Sequence, residues 1–571
     1  MDLVPSRLKK EVPLSLSWTL VRFCTKSCSP WSGRRASIAA KYAAMTAEPI
    51  EKQETWSESP LALTGGCFIL VIAFQWRMLS KPPVWDGIMG MYAAAATLSR
   101  NGFDILALLR LPGFDDGGPN VYGLSPVTWL TATVINLSGS VMTAIRTLHI
   151  LHWLIGAAGL VGVYHLARRT LPAIAAWAVV ILTLVNPLVA AQLGDVYLEI
   201  PLLTACVWTL VMLLRNRVLM ASLLAMLSTA IKPTGLVVVG ALALYLIDNG
   251  RLTWRPTREW LAIAGPLAVG LIQQLSLSVS YLRQGWIDVL GTSVAYATKV
   301  GDAAGLILLA VIVGYFGLRR NGKTQADAPG SHLLITFLVA FHIFFMLVAV
   351  FGVFLLPRYY LIAIPFAYTI VMRFAWAARP GIAVGFCCVA GAISVLNADG
   401  ALYRVGAQTV CNRNYAILER SGEYRWLLDL HLAEAHIVEA IEPNLPIYVT
   451  QPLWAAITYP EMGYVRQPPT TVRLVMPGRG WETIPVGELE LPAYMVVDSS
   501  LFGGEILLRW WEEAAVDRDL EVAVISVLSS PYEAAVVRIG QQTDPKVVVE
   551  SSESRSARNA ISSQACSTGS M

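Results

Sequence analysis

The sequence predicts a polytopic α-helical membrane protein with about eleven transmembrane helices and a small C-terminal extracytoplasmic α/β domain. Its 571 residues are 55% hydrophobic and 14% charged, whereas soluble globular chains carry about 25% charged residues. Mean hydropathy is +0.55, and apolar runs recur until the composition changes near Ala398. The small net charge of +4 gives no reason to expect a nucleic-acid partner.

Four segments divide the chain. The first is a basic arm, which we predict to be cytosolic and disordered; the alternatives are a transit peptide or a start site set too early, with Met45 opening the protein. The last is Ser-rich and is also predicted to be disordered. Between them lie the transmembrane domain, with a long first outer loop, and the extracytoplasmic domain. The segments are 1–60, 61–400 with its outer loop 81–144, 401–540 and 541–571.

The apolar runs predict about eleven spans, several shorter than the roughly 20 residues that cross a bilayer. A further apolar stretch, Leu124–Leu137, is predicted to lie as a helix at the membrane interface. As a full span it would invert every later loop and break the positive-inside rule. The predicted spans are Leu61–Leu79, Ile145–Leu166, Ala173–Leu193, Tyr197–Leu214, Val218–Ile231, Gly235–Ile247, Trp260–Leu282, Leu306–Leu318, Leu333–Phe354, Tyr359–Ala377 and Ile382–Leu396.

Basic residues set the orientation. With the N-terminal arm inside, the pairs Arg168-Arg169 and Arg319-Arg320 fall inside, as the positive-inside rule requires. An odd number of spans then places the C-terminal domain outside. Alternating strand and helix patterns there predict a small α/β domain. Its predicted strands are Leu445–Thr450, Tyr494–Asp498, Val522–Leu528 and Ala534–Ile539, and its predicted helices are Leu427–Glu442, Leu453–Tyr459 and Glu505–Ala515.

Asp86 is an acid in the first outer loop, five residues after Lys81, which closes the first apolar run. Ionisable groups close to a membrane span are functional candidates, and a loop this long is usually functional. Asp is also a preferred helix N-cap. Asp86 could therefore cap the predicted helix Ile88–Ser99, a role that does not exclude catalysis.

Two more acids and a lysine lie at predicted outer turns. Asp195 and Glu199 are four residues apart, which places them on one face of a helix; the alternative is a solvated loop. Lys232 precedes Pro233 between two short spans, where an interrupted membrane segment can place a polar group in a cavity. A lysine that snorkels to the interface is the alternative.

Arg358 opens a predicted span and is followed by Tyr359. A guanidinium suits bidentate phosphate binding; the alternative is an interfacial arginine within a tyrosine belt. Acidic and cationic side chains that are predicted to lie together on the outer side of the membrane suit one kind of reaction. The cations would neutralise a phosphate leaving group, and a carboxylate would deprotonate or orient an acceptor hydroxyl.

Taken in order, these segments resemble the GT-C superfamily of integral-membrane glycosyltransferases, above all bacterial members related to protein O-mannosyltransferases and to the lipid A aminoarabinose transferase. The resemblance covers roughly residues 61–400. The sequence departs from many members where a glycine follows the first-loop acid. The matching segments are Trp85-Asp86-Gly87, Ala93–Ala96, Tyr122–Trp129, Ile145-Arg146-Thr147-Leu148, Asn186-Pro187, Glu199-Ile200-Pro201-Leu202, Lys232-Pro233-Thr234-Gly235 and Pro357-Arg358-Tyr359.

The resemblance implies residue roles. Asp86 would be the catalytic base or orient the acceptor, and Glu199 would be a second catalytic, substrate-orienting acid. Some members use a divalent metal and others do not, and no metal triad stands out in this sequence. The implied substrate-binding residues are Lys232, Arg358, Asp195, Tyr359 and Arg146.

The predicted function is transfer of a hexose or pentose from a polyprenyl-phosphate-linked donor, with inversion, to a lipid, glycan or protein acceptor on the extracytoplasmic face. A bacterial inner membrane is the predicted location, with the N-terminus cytoplasmic. A transporter or flippase of lipid-linked sugars is the alternative, and a non-catalytic scaffold is a weaker one. Transporters tend to carry internal repeats and mid-membrane charges, whereas the charges here gather at one face.

Overall fold

One compact unit begins at Pro60 and contains all the residues that the structure describes. The predicted basic arm and C-terminal tail lie outside the described residues, and so do Trp85 and Asp86. The described residues of this computed structural model are 60–84, 87–105, 124–249, 251, 258–276, 305–316, 333–341, 357–398, 421–440, 445–449, 452–468, 472–474, 490, 492–498, 520–526 and 533–539.

Most described residues are helical. Short 3₁₀ segments cover Trp76–Met78, Pro233–Gly235, Pro357–Ala363 and Pro460–Met462, and Gly87–Tyr92 is a π-helical segment. The α-helices are α1 Pro60–Gln75, α2 Ala93–Arg100, α3 Pro126–Leu137, α4 Val141–Arg168, α5 Ala173–Val185, α6 Pro187–Gly194, α7 Glu199–Leu214, α8 Val218–Ile231, α9 Leu236–Asp248, α10 Arg258–Ser276, α11 Gly305–Phe316, α12 333–341, α13 Ile364–Ala378, α14 Pro380–Leu396, α15 Ser421–Ala440 and α16 Leu453–Thr458.

Several helices are long and apolar enough to cross a membrane. Among the described residues, length and composition select Leu61–Met78, Val141–Arg168 and Arg358–Ala378, and a fourth span if α5 and α6 count as one. Further apolar helices are 10–17 residues long. This is the pattern of an integral membrane protein. The count of about eleven spans, their orientation and the interfacial position of α3 stay predictions.

A seam of glycines brings α4 and α7 into close contact. Gly156, Gly159 and Gly162 recur at every third position of α4. A Cβ added at Gly159 would lie only 2.5 Å from the side chain of Thr204 on α7. Small residues at such spacing let helix backbones approach closely within a membrane. The seam therefore fixes α7, which begins at Glu199, against α4.

The predicted span Ala173–Leu193 contains a bend that the sequence analysis did not foresee. α5 and α6 meet with a bend of 64° at Asn186. The Asn186 side chain accepts a hydrogen bond from the backbone N–H of Leu188 at 3.1 Å and so caps α6. Pro187 follows at the first helical position, where its missing N–H is no loss. The cap starts a new helix in a direction that a continuous span could not take.

A five-stranded mixed sheet forms in the C-terminal part of the chain. Its order is β2-β1-β3-β5-β4. β1 pairs in parallel with β2 and β3, whereas β5 pairs antiparallel with β3 and β4. All the strands except β2 lie where the sequence predicts them, and the predicted helix Glu505–Ala515 lies outside the described residues. The strands are β1 Ile447–Val449, β2 Val472–Leu474, β3 Ala493–Asp498, β4 Leu520–Ser526 and β5 Glu533–Ile539.

Buried hydrogen bonds join this C-terminal part to the apolar helices. The Gln192 side chain on α6 donates to the hydroxyl of Tyr424 on α15 at 2.9 Å. The Tyr464 hydroxyl donates to the backbone carbonyl of Pro83 at 2.6 Å. Both contacts lie next to predicted site residues in the sequence, because Gln192 is near Asp195 and Pro83 is near Asp86.

Candidate functional site

The turn between α6 and α7 carries two buried acids. Asp195 and Glu199 are each only 2% exposed, although they lie at the ends of a short non-helical segment. All of α6 is buried, and Glu199 opens α7. The alternative of a solvated loop at these two acids is therefore wrong, and both carboxylates must find partners inside the protein.

Asp195 is held by the first-loop segment. The backbone N–H of Val84 donates to Asp195 Oδ1 at 3.0 Å. A Cβ added at Gly87 would lie 3.0 and 3.1 Å from the two carboxylate oxygens, so the glycine allows this close approach. Burial raises the pKa of Asp195 to about 7, and the Val84 N–H opposes that rise. Asp195 can therefore exchange a proton near neutral pH.

Glu199 pairs with two cations through the same oxygen. Lys232 Nζ donates to Glu199 Oε1 at 2.5 Å, and Arg358 Nε lies 3.0 Å from that same atom. The two cationic nitrogens therefore lie within 5.5 Å of each other. The three side chains are only 2–3% exposed. We call Glu199, Lys232 and Arg358 the ion trio.

Local backbone turns bring the two cations to Glu199. Lys232 follows the last residue of α8 in extended backbone, with φ −158° and ψ 141°. The chain then turns sharply, since a Cβ on Gly235 would lie 2.5 Å from the Ser228 carbonyl group. Arg358 is the second residue of the 3₁₀ segment that leads into α13. Because both cations are buried against Glu199, the alternatives of a snorkelling lysine and an interfacial arginine are wrong.

Two tyrosine rings line the ion trio. Lys232 Nζ lies 4.5 Å from the ring centroid of Tyr359 and 5.5 Å from that of Tyr197. The Arg358 guanidinium lies 5.6 and 5.5 Å from the same two rings. Rings at these distances attract cations and keep water from them. Tyr197 was missed in the sequence, although it stands two residues before Glu199.

The C-terminal part of the chain also reaches this site. Tyr464 is 3% exposed, and its hydroxyl bonds to Pro83. Burial raises the pKa of Tyr464 well above its ordinary value, and the nearby carboxyl groups Asp195 and Glu434 raise it further. Glu434, on α15, is fully buried. Residues from both parts of the chain therefore surround Asp195.

The structure brings together most of the residues predicted for the site. Glu199, Lys232, Arg358 and Tyr359 lie together through the contacts given above. Asp195 lies near them, because the Glu199 carboxylate helps to raise its pKa. Arg146 does not join them: it is exposed, and its Nε donates to Ser80 Oγ at 3.1 Å. Asp86 lies outside the described residues, and its catalytic role stays a prediction. Within the described part of the chain, no group of three or more His, Cys, Asp and Glu side chains could hold a metal ion.

Solved structures of two membrane proteins are similar to this chain. The crystal structure of ArnT from Cupriavidus metallidurans bound to undecaprenyl phosphate matches with 14% identity and a TM-score of 0.46, covering 85% of this chain and 99% of that one. The oligosaccharyltransferase of Archaeoglobus fulgidus in its apo form matches with 10% identity and a TM-score of 0.43, covering 87% and 76%. No family model and no curated protein sequence matches this chain.

Proposed function

We propose that this protein is an integral-membrane glycosyltransferase that takes a sugar from a polyprenyl-phosphate donor and passes it to an acceptor on the extracytoplasmic face. The observation that carries the proposal is the ion trio. Two cations share one carboxylate oxygen inside the protein, so the trio keeps a formal charge of +1. A buried cationic site with fixed donors suits a phosphate group.

The chemistry follows from these groups. The acceptor hydroxyl oxygen forms a bond to the anomeric carbon, and the bond from that carbon to the phosphate oxygen breaks. The bonding electrons leave with the phosphate, whose new negative charge Lys232 and Arg358 stabilise. The hydroxyl proton passes to Asp86, the base implied by the sequence resemblance. Attack from the face opposite the phosphate inverts the anomeric carbon.

Asp195 supports this arrangement by binding the segment that carries Asp86 in the sequence. Its carboxylate accepts from the N–H of Val84 and packs against Gly87, the described residues on either side. Tyr197 and Tyr359 would shield the phosphate from water, which strengthens its attraction to the two cations.

The test uses the purified full-length protein, a panel of radiolabelled polyprenyl-phosphate sugars and extracted envelope acceptors. We expect transfer by the wild type and loss of transfer in Asp86→Asn and in Arg358→Gln. Arg77→Gln is the matched control, because Arg77 is exposed and lies over the ring of Trp76. Its transfer should equal that of the wild type.

Equal transfer by the wild type and Arg358→Gln would reject the phosphate site. The flippase alternative is separated in liposomes that carry a fluorescent polyprenyl-phosphate sugar. Movement of that lipid across the bilayer, without transfer from any donor in the panel, would favour the flippase over the enzyme.

A further inference from the structure

The ion trio has a net charge that differs from that of a plain phosphate clamp. Lys232 and Arg358 each carry one positive charge, and Glu199, which contacts both, carries one negative charge. Dissolved ions cannot closely approach side chains that are buried to this degree, so salt screens their charges only weakly. The charges of the trio therefore act strongly on any anion that enters, and Glu199 lowers their sum by one.

The donor and the lipid product of the proposed reaction differ in charge. A polyprenyl-phosphate sugar is a phosphodiester with a single negative charge. Once the sugar has left, the lipid is a phosphomonoester, and phosphomonoesters carry about −1.5 to −2 charges at pH 7. The attraction between a site and an anion scales with the product of their charges, so a positive site holds the product more strongly than the donor. Each further positive charge on the site widens that difference.

We propose that Glu199 is a specificity-determining residue that limits retention of the phosphomonoester product by lowering the positive charge of the site by one. The inference rests on the proposed function. It adds that Glu199 helps the site to discriminate between the monoester product and the diester donor. Glu199 would act through its contacts with Lys232 and Arg358, whereas Asp195 bonds to the Val84 backbone. Glu199 therefore positions the two cations and also reduces their summed charge.

The experiment measures binding of two defined probes to the full-length protein in nanodiscs. The probes are undecaprenyl phosphate, a monoester, and its methyl ester, a diester of the same chain length. The quantity compared among variants is the affinity ratio of monoester to diester. Glu199→Gln should raise this ratio by about tenfold or more, because the site gains one positive charge. Glu199→Asp, which keeps the charge, should retain the wild-type ratio.

Lys232→Gln supplies an independent arm if Glu199→Gln does not fold. It removes a positive charge from the same trio and leaves the contact between Arg358 and Glu199, so the ratio should fall. Glu461→Gln is the matched control, since Glu461 pairs with Arg100 at the surface; its ratio should equal that of the wild type. Product inhibition of transfer by undecaprenyl phosphate should strengthen in Glu199→Gln, in step with the binding ratio.

The outcomes separate this inference from the proposed function. If the wild type binds both probes but the ratio is unchanged or lower in Glu199→Gln, or unchanged in Lys232→Gln, the specificity role is wrong while the phosphate site stands. If the wild type binds neither probe, the proposed function and this inference both fail. A higher ratio in Glu199→Gln together with a lower ratio in Lys232→Gln would support the role, and a higher ratio in Lys232→Gln would contradict it.

Discussion

Two Arg–Glu pairs in this protein use the same chemistry in opposite environments. Arg100 and Glu461 form a bidentate pair, with both contacts at 2.6 Å, and their side chains are 40% and 22% exposed. Arg358 Nε lies 3.0 Å from Glu199 Oε1, and the two side chains are each 2% exposed. The pair with the shorter contacts lies at the surface, and the pair with the longer contact lies inside.

The difference indicates what each pair is for. An exposed pair contributes about 0–1 kcal/mol to stability, because water screens it and its side chains must be ordered. Burying two charges costs free energy that can exceed what their attraction returns, so a buried pair is weak evidence for stability. The surface pair therefore joins α2 to the C-terminal part of the chain, whereas the ion trio is better explained by binding of an anion.

The largest effect is expected at the buried pair. Arg358→Gln leaves Glu199 with one cation fewer, and loss of one partner of a buried pair costs about 3–5 kcal/mol. We expect kcat/KM for the lipid donor to fall on the order of 100-fold or more, together with a lower Tm in detergent. A loss of less than about threefold would mean that the buried and surface pairs do not differ in role.

The second effect is a dependence of stability on pH. Burial raises the pKa of Asp195 from 3.8 to about 7, so between these values the folded protein binds a proton that the unfolded protein has released. The free energy of unfolding therefore falls as pH rises through this window, by up to the order of 4 kcal/mol. Thermal unfolding from pH 4 to 8 should show a smaller fall in Asp195→Asn. Asp104 is exposed, so Asp104→Asn is the control. Its stability should change with pH as that of the wild type does.

The third effect tests how tightly the first loop packs on Asp195. In Gly87→Ala the new Cβ would lie 3.0 Å from Asp195 Oδ1, and we expect a loss of about 1–3 kcal/mol from overpacking. Gly66→Ala is the control, because nothing lies within 4 Å of a Cβ at that position in α1. The control should be neutral or more stable by up to about 1 kcal/mol. Equal Tm values for the two variants would contradict the packing argument.

The smallest effect is expected at the surface pair. Arg100→Gln should change stability by less than about 1 kcal/mol, although Arg100 also lies 5.0 Å from the ring centroid of Tyr459. A double-mutant cycle with Glu461→Gln measures the coupling free energy. A coupling above about 2 kcal/mol would place this pair on a level with buried ones.

The sequence singled out several residues that cluster in the structure, but it did not predict their geometry. Asp195, Glu199, Lys232 and Arg358 could be selected because ionisable residues beside apolar runs are rare and costly. Their pairing through one oxygen could not, since it depends on how separate helices pack. The bend at Asn186 was missed because an apolar run does not reveal a change of direction unless the cap is recognised.

The contacts that the C-terminal part makes with the site could not be predicted from the sequence either. Tyr464 reaches Pro83 across nearly four hundred residues of chain, and no local pattern marks such a contact. The strands other than β2, in contrast, were predictable from short runs of β-forming residues. Local propensity therefore located elements, whereas tertiary packing decided which side chains from distant elements met.

The ion trio also has a consequence for how the protein enters the membrane. Lys232 follows Glu199 by 33 residues, so α7 and α8 can insert as a hairpin in which the two opposite charges already neutralise each other. Arg358 is synthesised much later and can join an existing pair rather than face lipid alone, where an isolated charge is costly. The order of residues along the chain thus lets the ribosome deliver Lys232 together with its counter-ion before Arg358 is made.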